Sequence, residues 1–363
     1  MRQVLNKWVA RYFADEEALI LILLLITALL IIAFLGSVLA PMFAAIVLAF
    51  LLQGVVVTFK NWGLGHTTSV VLTVGVFVCV IALGLVYVFP VLWQQTGTLI
   101  KEAPRMVREG QDLLLLLPDK YPNLINELEV RNLMANLRDE LTNAGQSLLS
   151  FSLAQLPILL SVLIYLVLVP ILVFFFLKDG KVLVGKLSSL LPNKRSVLQS
   201  IWQEMDEQIA NYVRGKAIEI LIVTAVSMMV FVIFDLRYAL LLSIMIGLSV
   251  LIPYIGAALV TIPVAIIAFF QFGISAEFWW IMGAYTVIQA LDGNVLVPYL
   301  FGEIVKLHPV VIIGAVLVFG GIWGFWGLFF AIPLATLCKA VISAWPTREE
   351  TLPKSYVLED QAG

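Results

Sequence analysis

The sequence predicts an all-α, polytopic membrane protein of about eight transmembrane helices, two of them interrupted or re-entrant hairpins in the C-terminal half. Three observations predict it. Hydrophobic residues make up 61% of the 363 residues and charged residues 13%, with mean hydropathy +1.03. A soluble domain is about 45–50% apolar and about 25% charged, so this much apolar surface needs lipid as its solvent. Asp, Glu, Lys and Arg are absent from Ala18–Phe59, Asn61–Ile100, Leu141–Leu177, Ile220–Phe234, Tyr238–Ala276 and Pro309–Cys338. Two of the late apolar runs are broken in the middle by glycine and proline.

The elements follow in order. Residues 1–17 form a short cytoplasmic N-terminus, and 18–92 hold three spans. A helix crosses about 30 Å of hydrocarbon with roughly 20 residues, so the first interval is long enough for two spans, about 18–40 and 42–59. Gly36 and Pro41 mark the expected break between them. The third span covers about 68–92. Residues 93–152 regain charge and carry Pro104, Pro118 and Pro122, and Leu133, Leu137, Leu141, Ala144, Leu148 and Phe151 recur every three or four residues. That spacing gives one apolar helix face, so 93–152 reads as an extracytoplasmic amphipathic helical segment. A fourth span covers 153–177. Residues 178–216 form a basic helical loop with Lys178, Lys181, Lys186, Lys194, Arg195, Arg214 and Lys216, which marks the cytoplasmic side. Arg2, Lys7 and Arg11 place the N-terminus on that side too. Residues 217–345 form a core with a span at 217–235 and the two broken segments, and 346–363 form a cytoplasmic tail.

The broken segments point to function. Tyr238–Ile252 is too short to cross, ends in Pro253-Tyr254-Ile255-Gly256 and is followed by a second arm to Phe272. Pro309–Phe319 meets a run holding Gly320, Gly321, Gly324 and Gly327, then a second arm to Trp345. Each is either a hairpin that dips in and returns or a long kinked span. Unwound backbone at membrane depth must be buried or line a wet path, and paired Gly/Pro interruptions mark the substrate region of secondary transporters. The competing explanation is close packing, for which membrane helices also use glycine.

Ionisable groups inside spans are costly and functional by default. Gln289, Asp292 and Asn294 form the richest cluster, followed by Pro298, Gly302, Glu303, Lys306 and His308. Asp292 can take a proton or a cation, or Asp-Gly-Asn can be a turn or cap at the membrane surface. Glu204, Gln208, Asn211, Gly215 and Glu219 share one helix face, either lining a cytoplasmic entrance or solvated, with Glu219 paired to Lys216 or reaching the headgroups. His66 and His308 are isolated and read as structural.

Several classes are excluded. A net charge of −2 gives no basic field for nucleic acid. Cys79 and Cys338 lie in separate apolar runs, so neither a disulfide framework nor a metal site is expected. No P-loop, nucleophile elbow or HExxH occurs, so neither an enzyme, a cofactor nor a nucleotide-driven pump is expected. The first apolar run exceeds a signal-peptide core of about 7–15 residues, and Pro41 would block cleavage after Ala40.

The strings Leu39-Ala40-Pro41-Met42-Phe43-Ala44, Phe174 to Gly180, Ile252-Pro253-Tyr254-Ile255-Gly256, Gln289 to Pro298 and Gly302 to Pro309 resemble the autoinducer-2 exporter family of permease-type transporters. Gly324, Gly327 and Pro333 fit as well, and the resemblance covers about residues 12–345. It implies a bacterial inner-membrane homo-oligomer, with a pentamer as one form. It also implies export of the quorum-sensing signal autoinducer-2, or exchange of sodium or lithium for protons. Many members carry Glu before the Pro-x-x-x-Gly segment where this chain has Asp292. The expectation is therefore a secondary transporter of a small polar solute. The alternatives are a cation/proton antiporter and, from another class, a scaffold or receptor working through 93–152.

Overall fold

The computed structural model describes residues 16–120, 156–189, 196–302 and 307–343, with Asn132, Ala135 and Asn136 between. The apolar face expected at 133–151, Glu303, Lys306 and both termini lie outside the described residues. All described regular structure is helical. In chain order the elements are α1 (Glu16–Asn61), α2 (His66–Leu83), a π-turn (Gly84–Val88), α3 (Phe89–Lys120), α4 (Leu156–Ser188), α5 (Ser196–Ile233) and α6 (Ala239–Ser249). They continue with α7 (Ile255–Phe272), α8 (Ala276–Leu291), a second π-turn (Asp292–Leu296), α9 (Val297–Phe301), α10 (Pro309–Phe329) and α11 (Ala331–Ser343).

Seven stretches are long and apolar enough to cross a membrane: Leu19–Gly36, Val38–Asn61, His66–Asp112, Val162–Ser188, Val197–Ile233, Ile255–Phe272 and Pro309–Phe329. Shorter apolar helices at Ala239–Ser249 and Ala331–Ser343 accompany them. Most of these helices are apolar on every side, the pattern of helices solvated by lipid. The chain is a multi-pass membrane protein.

Helical hydrogen bonding continues where the sequence suggested breaks. α1 runs through Pro41, which lies buried inside it. One proline removes one donor and bends a helix, but long flanking arms with no other way to pair their backbone in lipid hold the helix on both sides. α2, the first π-turn and α3 form one run from His66 to Lys120, so the helix that holds the third span continues past residue 92. Most of the basic stretch 178–216 is helix, in α4 and α5, as expected of a helical loop.

The chain divides into two compact units. The first comprises Met1–Leu51, Phe175–Lys216 and Phe301–Gly363. Leu21, Ile201, Met205 and Val341 form a core there, and the Glu17 carboxylate accepts the Val197 N–H at 3.1 Å, capping the first turn of α5. Tyr212 packs edge-on to Phe329 and donates its hydroxyl to the Phe329 carbonyl at 2.9 Å. That carbonyl ends α10, where the helical ladder offers no partner. Tyr212→Phe should cost about 1–2 kcal/mol by leaving it unpaired. The check is a thermal melt in detergent, with Tm expected to fall by about 2–4 °C.

The second unit comprises Leu52–Phe174 and Ala217–Leu300. Its core gathers Val223 and Phe231 of α5, Leu242 and Ile246 of α6, Val260, Val264, Ile267 and Ala268 of α7, and Ile281 and Tyr285 of α8.

Candidate functional site

The first broken segment is a closed helical hairpin. α6 has 11 residues, about 16 Å at 1.5 Å per residue, far short of a crossing. Both feet are tied to one connection. The Gln271 side chain, at the end of α7, donates to the Asp235 carbonyl and accepts from the Arg237 N–H, each at 2.7 Å. Gln95 of α3 accepts the Leu241 N–H at 2.9 Å, in the first turn of α6. Glu102, two helical turns further along α3, lies 3.7 Å from Arg237. The segment therefore turns back on itself as a hairpin and is not one long kinked helix.

Its apex is Pro253-Tyr254. Ile252 N–H reaches the Ser249 carbonyl at 3.0 Å, Ile255 N–H the Pro253 carbonyl at 2.7 Å, and Gly256 N–H the Ile252 carbonyl at 2.9 Å. Gly256 is where the arms touch, since a Cβ there would lie 1.8 Å from the Ser249 carbonyl oxygen. Just beyond, the Ala257 carbonyl accepts from Thr261 at 2.8 Å and from the Tyr285 hydroxyl at 3.0 Å, fastening α7 to α8.

The second broken segment repeats the device within the first unit. α10 is bent back at Gly324, whose φ 57° and ψ −133° are open only to glycine. A Cβ on Gly327 would lie 1.8 Å from the Phe319 carbonyl oxygen, so the two arms meet backbone to backbone. Gly320 faces the Leu328 side chain, while Gly321 and Gly324 are exposed. Trp323 packs edge-on to Phe43 at 4.6 Å and stacks on Phe330 at 6.1 Å. Its indole nitrogen is buried with no acceptor among the described residues. His308 caps the first arm through Nδ1, which accepts the Val310 N–H at 3.3 Å, and Pro309 takes the first helical position. His308 thus has a structural part here. Gly302, at φ 47°, ends α9 in a left-handed turn.

Asp292 does not lie in a turn. Helix continues unbroken from Ala276 to Phe301, about 39 Å at 1.5 Å per residue, and Asp292 opens its π-turn, half-buried. The cause is Pro298. Val297 N–H reaches back five residues to the Asp292 carbonyl, and Phe89 N–H reaches the Gly84 carbonyl in the same way just before Pro90. A proline ring crowds the carbonyl four residues back, and one extra residue per turn relieves it. Asn294 donates to the Ala290 carbonyl at 2.8 Å. The Gln289 side-chain nitrogen is buried with no partner among the described residues. Pro298→Ala should close the bulge and rotate Asp292 by about 100° relative to α9. Cysteine accessibility scanned over 289–296 would then shift by one residue, and an unchanged pattern contradicts this cause.

The polar stripe on α5 runs inward. Glu204 is exposed and holds Gln208 at 2.9 Å, while Gln208 and Asn211 are half-buried. Gly215 is buried beneath the Phe301 ring, which also lies 5.3 Å from the Lys216 ammonium. In the second unit, Glu219 is 1% exposed. A solvated face is therefore ruled out for its inner end, as is a Glu219 that reaches the headgroups. At the i+8 position Ser227 is also fully buried, its hydroxyl without a partner among the described residues. No group of three potential metal ligands occurs among the described residues.

A family model described as AI-2E family transporter matches residues 19–347. The chain belongs to the AI-2E transporter family. This AI-2E chain is 45% identical to "Putative permease PerM" of Escherichia coli (strain K12), over 95% of its own length and 98% of that protein. It is 26% identical to "Putative transport protein YueF" of Bacillus subtilis (strain 168), covering 85% and 84% of the two chains. It is 23% identical to "AI-2 transport protein TqsA" of Escherichia coli (strain K12), covering 90% and 91%. The names of these relatives indicate a transporter or permease, and a role in membrane transport follows for this AI-2E chain.

Proposed function

We propose that this chain is a secondary transporter moving a small polar solute across the bacterial inner membrane, with N- and C-termini cytoplasmic. The pair of closed helical hairpins carries the reading. Each brings interrupted backbone to an exposed apex, and such backbone is tolerated at membrane depth only where it is buried or meets water. Glycine at each crossing holds the arms so close that a lipid chain cannot enter between them. Autoinducer-2 is the solute that the name of TqsA supplies. Asp292, held out of α-helical register, and Glu219, enclosed at the inner end of a polar stripe, are the groups assigned to coupling, with Gln289 and Asn294 beside Asp292.

The test is autoinducer-2 flux in proteoliposomes under an imposed proton gradient. Asp292→Asn should lower flux by about tenfold or more, because the amide keeps the shape and loses the titratable site. Full activity in Asp292→Asn removes that residue from the assignment. Sodium-for-proton exchange in the same vesicles, with no autoinducer-2 flux, would replace the solute reading with the antiporter one.

A further inference from the structure

Tyr254 is the residue whose conformation its own surroundings do not explain. It stands at φ 63° and ψ −44°, between Pro253 and Ile255, with the Ile255 N–H on the Pro253 carbonyl at 2.7 Å. That is a three-residue γ-turn of the rare, strained positive-φ kind. A side chain there presses on its own backbone, and such strain persists only when something over-determines it.

Three comparisons within the molecule sharpen the point. The second hairpin also turns through positive φ at its apex, and there the residue is Gly324, at φ 57° and ψ −133°. Tyr238 also has positive φ, but it is 8% exposed and belongs to the core of its unit, so packing holds it. Asp235 is a residue type that enters the left-handed region readily. Tyr254 is 59% exposed, and none of the described residues bonds its hydroxyl. Glycine would make this turn without strain. A large aromatic in its place is explained by use of the side chain itself.

We infer that Tyr254 is a specificity-determining residue, presented by the strained apex of the first hairpin to the solute path. The inference rests on the transport reading above. The ring offers a flat apolar face and the hydroxyl one donor and one acceptor, a combination that selects a solute by shape and by a directed hydrogen bond.

The test compares full-length Tyr254→Gly, Tyr254→Ala and Tyr254→Phe. Glycine and alanine both remove the ring, but only glycine removes the strain, so Tyr254→Gly should melt about 2–4 °C above Tyr254→Ala. Both should lower autoinducer-2 flux in proteoliposomes by about tenfold or more, with Tyr254→Phe between them and the parent. Tyr254→Cys, in a background lacking Cys79 and Cys338, should react with a membrane-impermeant maleimide. Unchanged flux in the glycine and alanine variants overturns the inference, as does an alanine variant at least as stable as glycine. If the parent protein carries no autoinducer-2, the solute proposal fails separately. The labelling then decides, and a Tyr254→Cys protein that does not react overturns the inference.

Discussion

A single added methyl at residue 256 or 327 should abolish transport and lower the melting temperature well below that of the same change at an open glycine. A Cβ at either position would lie 1.8 Å from a carbonyl oxygen of the opposite arm, Ser249 in the first hairpin and Phe319 in the second. Flexible side chains can move aside, but here the obstacle is backbone. The arms must separate, breaking the apex hydrogen bonds at Ile255 and Gly256 in the first hairpin. Overpacking of well-fitted sites costs about 1–3 kcal/mol, and a rigid backbone obstacle places Gly256→Ala and Gly327→Ala at or above the upper end. The check is a melt of each purified variant beside Gly283→Ala, where a Cβ meets open space. A Gly256→Ala protein as stable as Gly283→Ala contradicts the close approach.

Glu219 should separate folding from function. At 1% exposure it is enclosed on every side. Glu219→Lys would enclose an ammonium where a carboxylate now lies. Placing the wrong charge at a buried ionic site costs about 3–5 kcal/mol, enough to deplete folded protein from the membrane. Glu219→Gln keeps the shape and hydrogen-bonding capacity. It should fold to near-parental yield while autoinducer-2 flux falls by about tenfold or more. Membrane yield by gel filtration and flux per folded protein give the two readouts. Parental flux in Glu219→Gln makes the residue structural.

The helical membrane class was legible because it rests on composition and on charge-free run lengths, which tertiary packing cannot override. The two interruptions were legible for a similar reason, since proline and clustered glycine restrict backbone locally. Their form was not. Whether Tyr238–Phe272 is one kinked helix or a hairpin is decided by Gln95 and Gln271 holding both feet, contacts 146 and 34 residues apart in sequence. Asp-Gly-Asn read equally as a turn because all three residues, 292–294, are common in turns. Pro298, six residues on, instead forces a π-turn within continuous helix, and the same spacing at Gly84 and Pro90 was the overlooked signal. Pro41 was read as a break because a sequence shows the missing donor but not the long flanking arms that keep α1 helical. The inward run of the α5 stripe was invisible because periodicity gives a face, not what covers it.

The central claim is that both interrupted apices meet water at membrane depth. Single cysteines replacing Tyr254, Ile255 and Phe325, in a background lacking Cys79 and Cys338, measure this directly in sealed membranes. The account predicts reaction with a membrane-impermeant maleimide at both apices, at rates within about tenfold of a cysteine in the Trp62–Leu64 connection. Reaction only with a lipid-soluble reagent at either apex would show backbone that is dry, and would contradict the account.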